Sequence, residues 1–161
     1  MNMKEYLDLT KLTLNSISIE AGRPIDDKVY LGSLGSAKKT DCLFDVYNNK
    51  KLLAYATLKD LGEGRWFVLM FVIHPSCRHK KVFIELFYKI IKHLISVKAK
   101  ILVSNVFKVN KRSVVFHKKL GFKVTREADI GYEYTLALDN LDNLDTSKWW
   151  YWARKFPAKK T

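Results

Sequence analysis

The chain has 161 residues, of which 48% are hydrophobic, and its formal net charge is +13. This length and apolar content predict one folded domain with its own core and exclude an intrinsically disordered chain. No stretch reaches the roughly 20 consecutive apolar residues of a transmembrane helix, and the N-terminus lacks the basic start and apolar run of a signal peptide. We therefore expect a cytoplasmic protein without a membrane span.

The two cysteines, Cys42 and Cys77, exclude a disulfide framework, and no close His/Cys cluster predicts a metal site. The positive charge is concentrated between Arg78 and Lys119, where twelve Lys or Arg residues accompany one acid, Glu85. Such clustering indicates a polyanionic partner. A phosphorylated cofactor, nucleic acid and an anionic membrane all satisfy this criterion.

The first half of the chain predicts a helix, an irregular stretch and then strands. Apolar residues between Lys4 and Ile19 recur at helical spacing, whereas 26–40 reads as a loop with at most a short second helix. Alternation predicts a hairpin of two strands, and a turn at 60–64 then leads to a buried central strand that ends before His74-Pro75. The three strands span 41–47, 52–58 and 66–73.

The second half predicts two helices and three further strands. The apolar positions from His79 to Ile95 have clear helical spacing, and a second amphipathic helix from Asn110 to Leu120 stops at Gly121. Strands are predicted at 101–106, 122–125 and 132–138. The composition changes after Leu138, so we predict a domain at 1–138 and a tail at 139–161.

The tail carries aromatic and basic residues, including Trp149, Trp150 and Trp152. These large side chains either cover apolar surface of the same molecule or form an interface with a protein partner or a second copy. The sequence leaves both alternatives open.

Two segments have motif character. The central strand is followed by His74-Pro75 and then by Arg78-His79-Lys80-Lys81-Val82-Phe83 at the start of the long helix. The second segment, from Asn110 to Phe122, combines an N-terminal asparagine, an amphipathic helix and a Gly-Phe exit. Amides at a helix N-terminus, with the helix dipole behind them, favour a bound phosphate.

Over roughly Lys51 to Leu138 these segments resemble the GNAT family of acyl-CoA-dependent N-acetyltransferases. The resemblance implies an α/β (α+β) fold with a mixed, mainly antiparallel sheet of about six strands flanked by helices. The family's first motif, Arg-Gly-x-Gly-x-Gly/Ala, departs here because His79, Lys81 and Phe83 occupy the glycine positions. The phosphate-binding loop is thus degenerate, although Lys81 can supply a charge in place of close backbone contact.

The resemblance also implies the site residues. The backbone of Phe71, Val72 and Ile73 would contact the pantetheine arm of acetyl-CoA. The remaining cofactor-binding candidates are Arg78, His79, Lys80, Lys81, Val82, Phe83, Asn110 and Ser113. His117 occupies the position of the family's tyrosine, which protonates the departing thiolate, and His74 is the nearest titratable candidate for a general base.

Three functions follow from these observations. The first is an acyl-CoA-dependent N-acyltransferase that transfers acetyl from acetyl-CoA to a primary amine. The second is a catalytically inactive GNAT-like fold with a structural or binding role; the chain loosely resembles acetyltransferase-like proteins of tailed phages, which implies packaging in a virion as an alternative location. The third is nucleic-acid binding through interleaved basic and aromatic residues, although no nucleic-acid-binding motif accompanies the charge.

Overall fold

A computed structural model describes residues 2–78 and 80–138. The predicted tail at 139–161, with its three tryptophans, lies outside the described residues, as does His79. No helix within the described ranges is both long enough and apolar enough to cross a bilayer.

Within the described residues, the centre of the fold is a six-stranded mixed sheet. Its strands are β1 (Leu43–Asn48), β2 (Lys51–Gly62), β3 (Arg65–Ile73), β4 (Ile101–Phe107), β5 (Lys123–Glu127) and β6 (Gly131–Ala137), in the spatial order β1-β2-β3-β4-β6-β5. The β3–β4 pair is parallel and all other pairs are antiparallel. This architecture confirms the predicted fold class.

In the part of the chain that the structure describes, four α-helices flank the sheet: α1 (Met3–Glu20), α2 (Asp27–Lys39), α3 (Lys80–Ser96) and α4 (Lys111–Lys119). A short 3-10 helix at Pro75–Cys77 connects β3 to α3. On one side of the sheet, α1 and α2 cover an apolar cluster that includes Tyr6, Tyr55 and Val72. The larger apolar cluster includes the inner side of α3, where Leu86, Ile90 and Leu94 are nearly inaccessible to solvent.

The region at 26–40, predicted as a loop with at most a short second helix, contains the thirteen-residue helix α2. Gly32 and Gly35 lower its intrinsic helix propensity, which obscures the pattern. The Asp26 side chain accepts a hydrogen bond from the Val29 N–H and caps the helix, while Leu34 and Ala37 are buried. Capping and tertiary packing therefore compensate for the weak propensity.

The turn predicted at 60–64 is shorter than expected, because β2 continues to Gly62 and β3 begins at Arg65. Only Glu63 and Gly64 connect the strands, and both have positive φ, 56° and 78°. Such a conformation suits a tight two-residue hairpin. Because both strands are longer than predicted, β2 supports β3 along its length up to the candidate site.

Candidate functional site

The site begins where two neighbouring strands separate. The parallel pairing of β3 with β4 covers Arg65–Val68 and Ile101–Ser104. Beyond Val68, β3 remains paired with β2 as far as Ile73, while β4 remains paired with β6 as far as Phe107. The strands thus open a wedge whose apex lies at Val68 and Ser104.

The backbone of β3 has polar groups available along this wedge. The His74 N–H donates to the Leu53 carbonyl at 2.7 Å. Because backbone groups alternate between the two edges of an antiparallel strand, Val72 faces β2, whereas Phe71 and Ile73 direct their N–H and C=O groups towards the wedge. Of the three predicted strand residues, Phe71 and Ile73 therefore fit a role in backbone contact with a ligand.

A pocket of about 370 Å³ adjoins the wedge along the β3 edge. Its mostly apolar wall contains Leu14 and Ile17 from α1 together with Phe71, Ile73, Phe83 and Phe116, and its polar lining consists of Thr13, Arg78, Asn110, Arg112 and Ser113. Volume and lining are typical of a small-molecule site, in which a few polar groups orient a largely buried ligand.

Two arginines line this pocket, and neither forms an ion pair with an acid of the described chain. Burial lowers the pKa of Arg78, and the positive charge of Arg112 lowers it further. Mutual repulsion between guanidinium groups is relieved by an anion that contacts both. The pocket therefore combines an apolar interior with a site for a phosphate or carboxylate.

Asn110 positions the start of α4 beside the arginines. Its side-chain oxygen accepts a hydrogen bond from the Ser113 N–H at 3.2 Å and caps the helix. Asn110 and Ser113, both predicted as cofactor-binding residues from the segment Asn110 to Phe122, thus lie together in the pocket wall. A capped helix start presents its remaining backbone N–H groups to an anion.

Phe83 forms part of the pocket wall. Phe83, at a glycine position of the family motif, is 5% exposed and packs its ring 5.8 Å from Phe71 and 5.0 Å from Phe116. The three rings connect β3, α3 and α4 and reduce the space that a glycine would leave open. Any ligand of the wedge must therefore lie against this aromatic wall.

The other residues predicted at the loop have different positions. Val82 is buried in the core, and Lys81 is exposed and is not among the described pocket-lining residues. Lys80 is the first residue of α3, and His79 lies outside the described residues. The loop role of Lys81, Lys80 and His79 thus remains a prediction.

His74 lies at the end of β3 and caps the 3-10 helix. Its Nδ1 accepts a hydrogen bond from the Ser76 N–H at 3.1 Å and lies 2.7 Å from the Ser76 hydroxyl. Burial and the nearby charge of Lys51 lower its pKa. Since Nδ1 is engaged locally and His74 does not line the described pocket, its geometry fits a capping role better than that of a base.

His117 is hydrogen-bonded at both ring nitrogens. Nδ1 lies 2.7 Å from the Ser113 carbonyl oxygen and Nε2 lies 2.9 Å from Ser104 Oγ. A carbonyl can only accept, so Nδ1 carries the proton; burial lowers the pKa of His117, which keeps the ring neutral at pH 7. Nε2 must therefore receive a proton before His117 can protonate a leaving group.

Several residues of the site were not predicted from the sequence. Thr13, Leu14 and Ile17 come from α1, which is far from the motifs in the sequence. Arg112 and Ser104 lie in the second half of the chain, where no distinctive local pattern marks them. Arg112 is one of the twelve basic residues between Arg78 and Lys119, and this clustering of charge was the sequence feature that could have identified it. Among the described residues no group of three potential metal-ligating side chains comes together.

Comparison with known proteins identifies the architecture. The profile of the acetyltransferase (GNAT) family matches residues 13–122. The chain belongs to the GNAT family. The match covers the wedge, α3 and all of α4. No curated protein sequence matches the chain.

Solved GNAT structures share the fold at low sequence identity. PaiA N-acetyltransferase from Thermoplasma acidophilum, in complex with coenzyme A, has a TM-score of 0.64 and 14% identity over 85% of this chain and 95% of its own. YncA from Salmonella typhimurium, with acetyl-CoA, has a TM-score of 0.61 and 17% identity over 87% and 92%. The ribosomal-protein-S18-alanine N-acetyltransferase from Escherichia coli has a TM-score of 0.63 and 13% identity over 84% and 86%.

Proposed function

We propose that this GNAT chain is an acyl-CoA-dependent N-acyltransferase that transfers acetyl from acetyl-CoA to a primary amine. The carrying observation is the apolar pocket beside the wedge between β3 and β4, which is flanked by two arginines without an acidic partner among the described residues. An elongated arm with apolar and amide groups and with phosphates at one end matches this distribution of lining groups. Two structures similar in fold are described with coenzyme A or acetyl-CoA.

The residues present fit acyl-CoA in a modified way. The backbone edge of Phe71 and Ile73 supports the amide-containing arm, and Arg78, Arg112 and the start of α4 support the phosphates. Close contact of the phosphates with the start of α3 is not supported at Phe83, because its side chain fills the glycine position. Side-chain cations thus replace much of what a glycine-rich loop supplies through its backbone.

Transfer requires that the amine and the thioester carbonyl meet with the correct orientation. The pocket brings α1 on one side close to β3, α3 and α4 on the other, so an acceptor can approach beside Leu14 and Ile17. Holding both reactants in one site supplies much of the rate acceleration in such a reaction. The amine itself is not defined by these residues.

The test is calorimetric titration of the full-length protein with acetyl-CoA, with CoA and ATP as comparisons. We expect saturable binding with one site per chain. Replacing Arg78 and Arg112 by alanine should weaken it at least about tenfold, because a hydrogen bond to a charged group contributes about 1.5–3 kcal/mol. Lys38→Ala/Lys39→Ala, at the exposed end of α2, removes the same charge elsewhere and should leave affinity unchanged. Equal loss in both double variants would contradict the site.

The second candidate is a GNAT-like fold that has lost catalysis and has a structural or binding role. Phe83 favours it, because an aromatic ring in contact with Phe71 and Phe116 narrows the wedge. Under this alternative acetyl-CoA shows no saturable binding, or binds no better than ATP and is displaced by moderate salt.

A further inference from the structure

The pocket reaches both faces of the sheet. Leu14 of α1 lines it and packs against the apolar cluster that lies under α1 and α2. Phe71, Ile73 and Phe116 line the same pocket but pack against the larger cluster, on the face that α3 covers. The pocket therefore passes the β3 edge from one face of the sheet to the other, and two reactants can meet in it from opposite ends.

The α1 end of the pocket is apolar and uncharged. Its lining residues are Thr13, Leu14 and Ile17, which are three or four positions apart and so share one side of the helix. Arg78 and Arg112 belong to the opposite wall, beside the start of α4. If the phosphates of acyl-CoA lie against the two arginines, the α1 end is left for the acceptor amine.

Hydrogen bonds hold α1 in place beside the pocket. The Tyr6 hydroxyl donates to the Asp45 carboxylate at 2.7 Å, and this contact joins the first half of the helix to β1. Thr10 is buried and is hydrogen-bonded to the Tyr55 hydroxyl on β2, less than one turn before Thr13. A wall fixed in this way can discriminate between ligands by their shape and charge.

The charges around the pocket restrict the acceptor further. No acidic side chain is among the described residues that line it, whereas Arg78 and Arg112 are both positive. An acceptor with a second ammonium group would bring another positive charge into the pocket without a carboxylate to pair with it, which is costly. A single amine avoids this cost by losing its proton, and apolar, cationic surroundings favour the neutral form, which is the nucleophile.

We propose that the acceptor is a primary amine attached to an apolar group and without a second positive charge, and that Leu14 and Ile17 select it. This inference rests on the proposed function, because it requires acetyl-CoA as the donor. The two side chains do not define one compound, but they limit its class.

The transfer itself is direct. The neutral amine nitrogen attacks the thioester carbonyl carbon, and the C–S bond breaks with its electron pair on sulfur. The proton that the nitrogen loses is taken up by the thiolate, directly or through water, so the products are the amide and the free thiol. The apolar group stays against Leu14 and Ile17 and orients the nitrogen for attack.

The experiment compares two acceptors of equal length, hexylamine and hexamethylenediamine, with the full-length protein and acetyl-CoA. Mass spectrometry of the N-acetylated product gives the initial rates. We expect kcat/KM to be at least about tenfold higher for hexylamine, because the diamine carries a second ammonium group that the pocket cannot pair. Methylamine, which lacks the apolar chain, should also be a poorer acceptor than hexylamine.

Variants of α1 test which residues select the acceptor. Ile17→Glu supplies a carboxylate at the α1 end and should shift the ratio of kcat/KM towards the diamine by about tenfold or more. Ile19→Glu adds the same charge two residues further along, where the side chain is 58% exposed and is not among the described lining residues. It should leave the ratio unchanged. If Ile17→Glu does not fold, Ile17→Ala should raise KM for hexylamine about tenfold with little effect on methylamine.

The outcomes separate this inference from the proposed function. Equal kcat/KM for the two six-carbon amines, a preference for the diamine, or the same response in Ile17→Glu and Ile19→Glu would overturn the inference. If acetyl-CoA binds saturably but hexylamine is not acetylated, the acceptor class is wrong and the donor site stands. If acetyl-CoA does not bind, the proposed function itself is lost.

Discussion

Replacing Phe83 with alanine tests two effects of the aromatic wall separately, namely its contribution to the stability of the protein and its effect on ligand binding. The ring is 5% exposed and contacts Phe71, Phe87 and Phe116 at centroid distances of 5.0–5.8 Å. Deleting a buried phenylalanine ring costs about 3–5 kcal/mol. We expect about 3 kcal/mol here, because the adjoining pocket lets solvent or ligand fill the vacated space.

The same change should tighten acetyl-CoA binding by on the order of tenfold, which corresponds to about 1.4 kcal/mol. The ring that occupies the family's glycine position is then gone. Chemical denaturation gives the stability, and calorimetric titration below the unfolding transition gives the affinity.

Phe87→Ala is the matched control. Phe87 lies one helical turn further along α3, is 4% exposed and stacks on Phe83, but it is not among the described residues lining the pocket. It should lose at least as much stability without any gain in affinity. Unchanged or weaker binding in a folded Phe83→Ala variant would refute the idea that this ring restricts the wedge.

Three further changes test the surrounding structure. Asn110→Ala should lower the free energy of unfolding by about 1 kcal/mol through loss of the α4 cap and should also weaken acetyl-CoA binding, as denaturation and titration will show. Tyr6→Phe removes a hydrogen bond of 2.7 Å to Asp45 and should cost about 1.5–3 kcal/mol in denaturant unfolding. Burial lowers the pKa of His117 in the folded protein below the ordinary histidine value of about 6.5, so at acidic pH the unfolded chain binds more protons than the folded chain. The free energy of unfolding should therefore fall as the pH drops through this range, and it should fall less steeply in His117→Gln.

The fold was predictable to the extent that local pattern decided it. α3 places its apolar residues at regular helical spacing, and β3 is an apolar run between turn signals, so both were found. Only a short helix was expected where the thirteen-residue α2 lies, because its serines and glycines carry little periodicity and its stability comes from a cap and from packing on α1, β1 and β2. Tertiary contacts of this kind cannot be recognised from a short stretch of sequence.

The site was predictable only where a motif carried it. Asn110, Ser113 and His117 lie on one helix, and Arg78 follows the central strand, so their proximity was implied by the family resemblance. The α1 residues Thr13 and Ile17 come from a distant part of the chain and meet the pocket only through the fold. The partner of His117 was equally hidden, since Ser104 looks like an ordinary polar interruption of a buried strand.

The short β3–β4 ladder also divides the sheet mechanically. Among the described strands, β1-β2-β3 form one antiparallel half and β4-β6-β5 the other, joined through Arg65–Val68 and Ile101–Ser104. Small relative movements of the halves therefore cost little within either ladder and concentrate at this seam. A molecule that forms hydrogen bonds to both edges of the wedge would connect the two halves of the sheet. Its binding should therefore slow amide hydrogen exchange along β3 and β4 together.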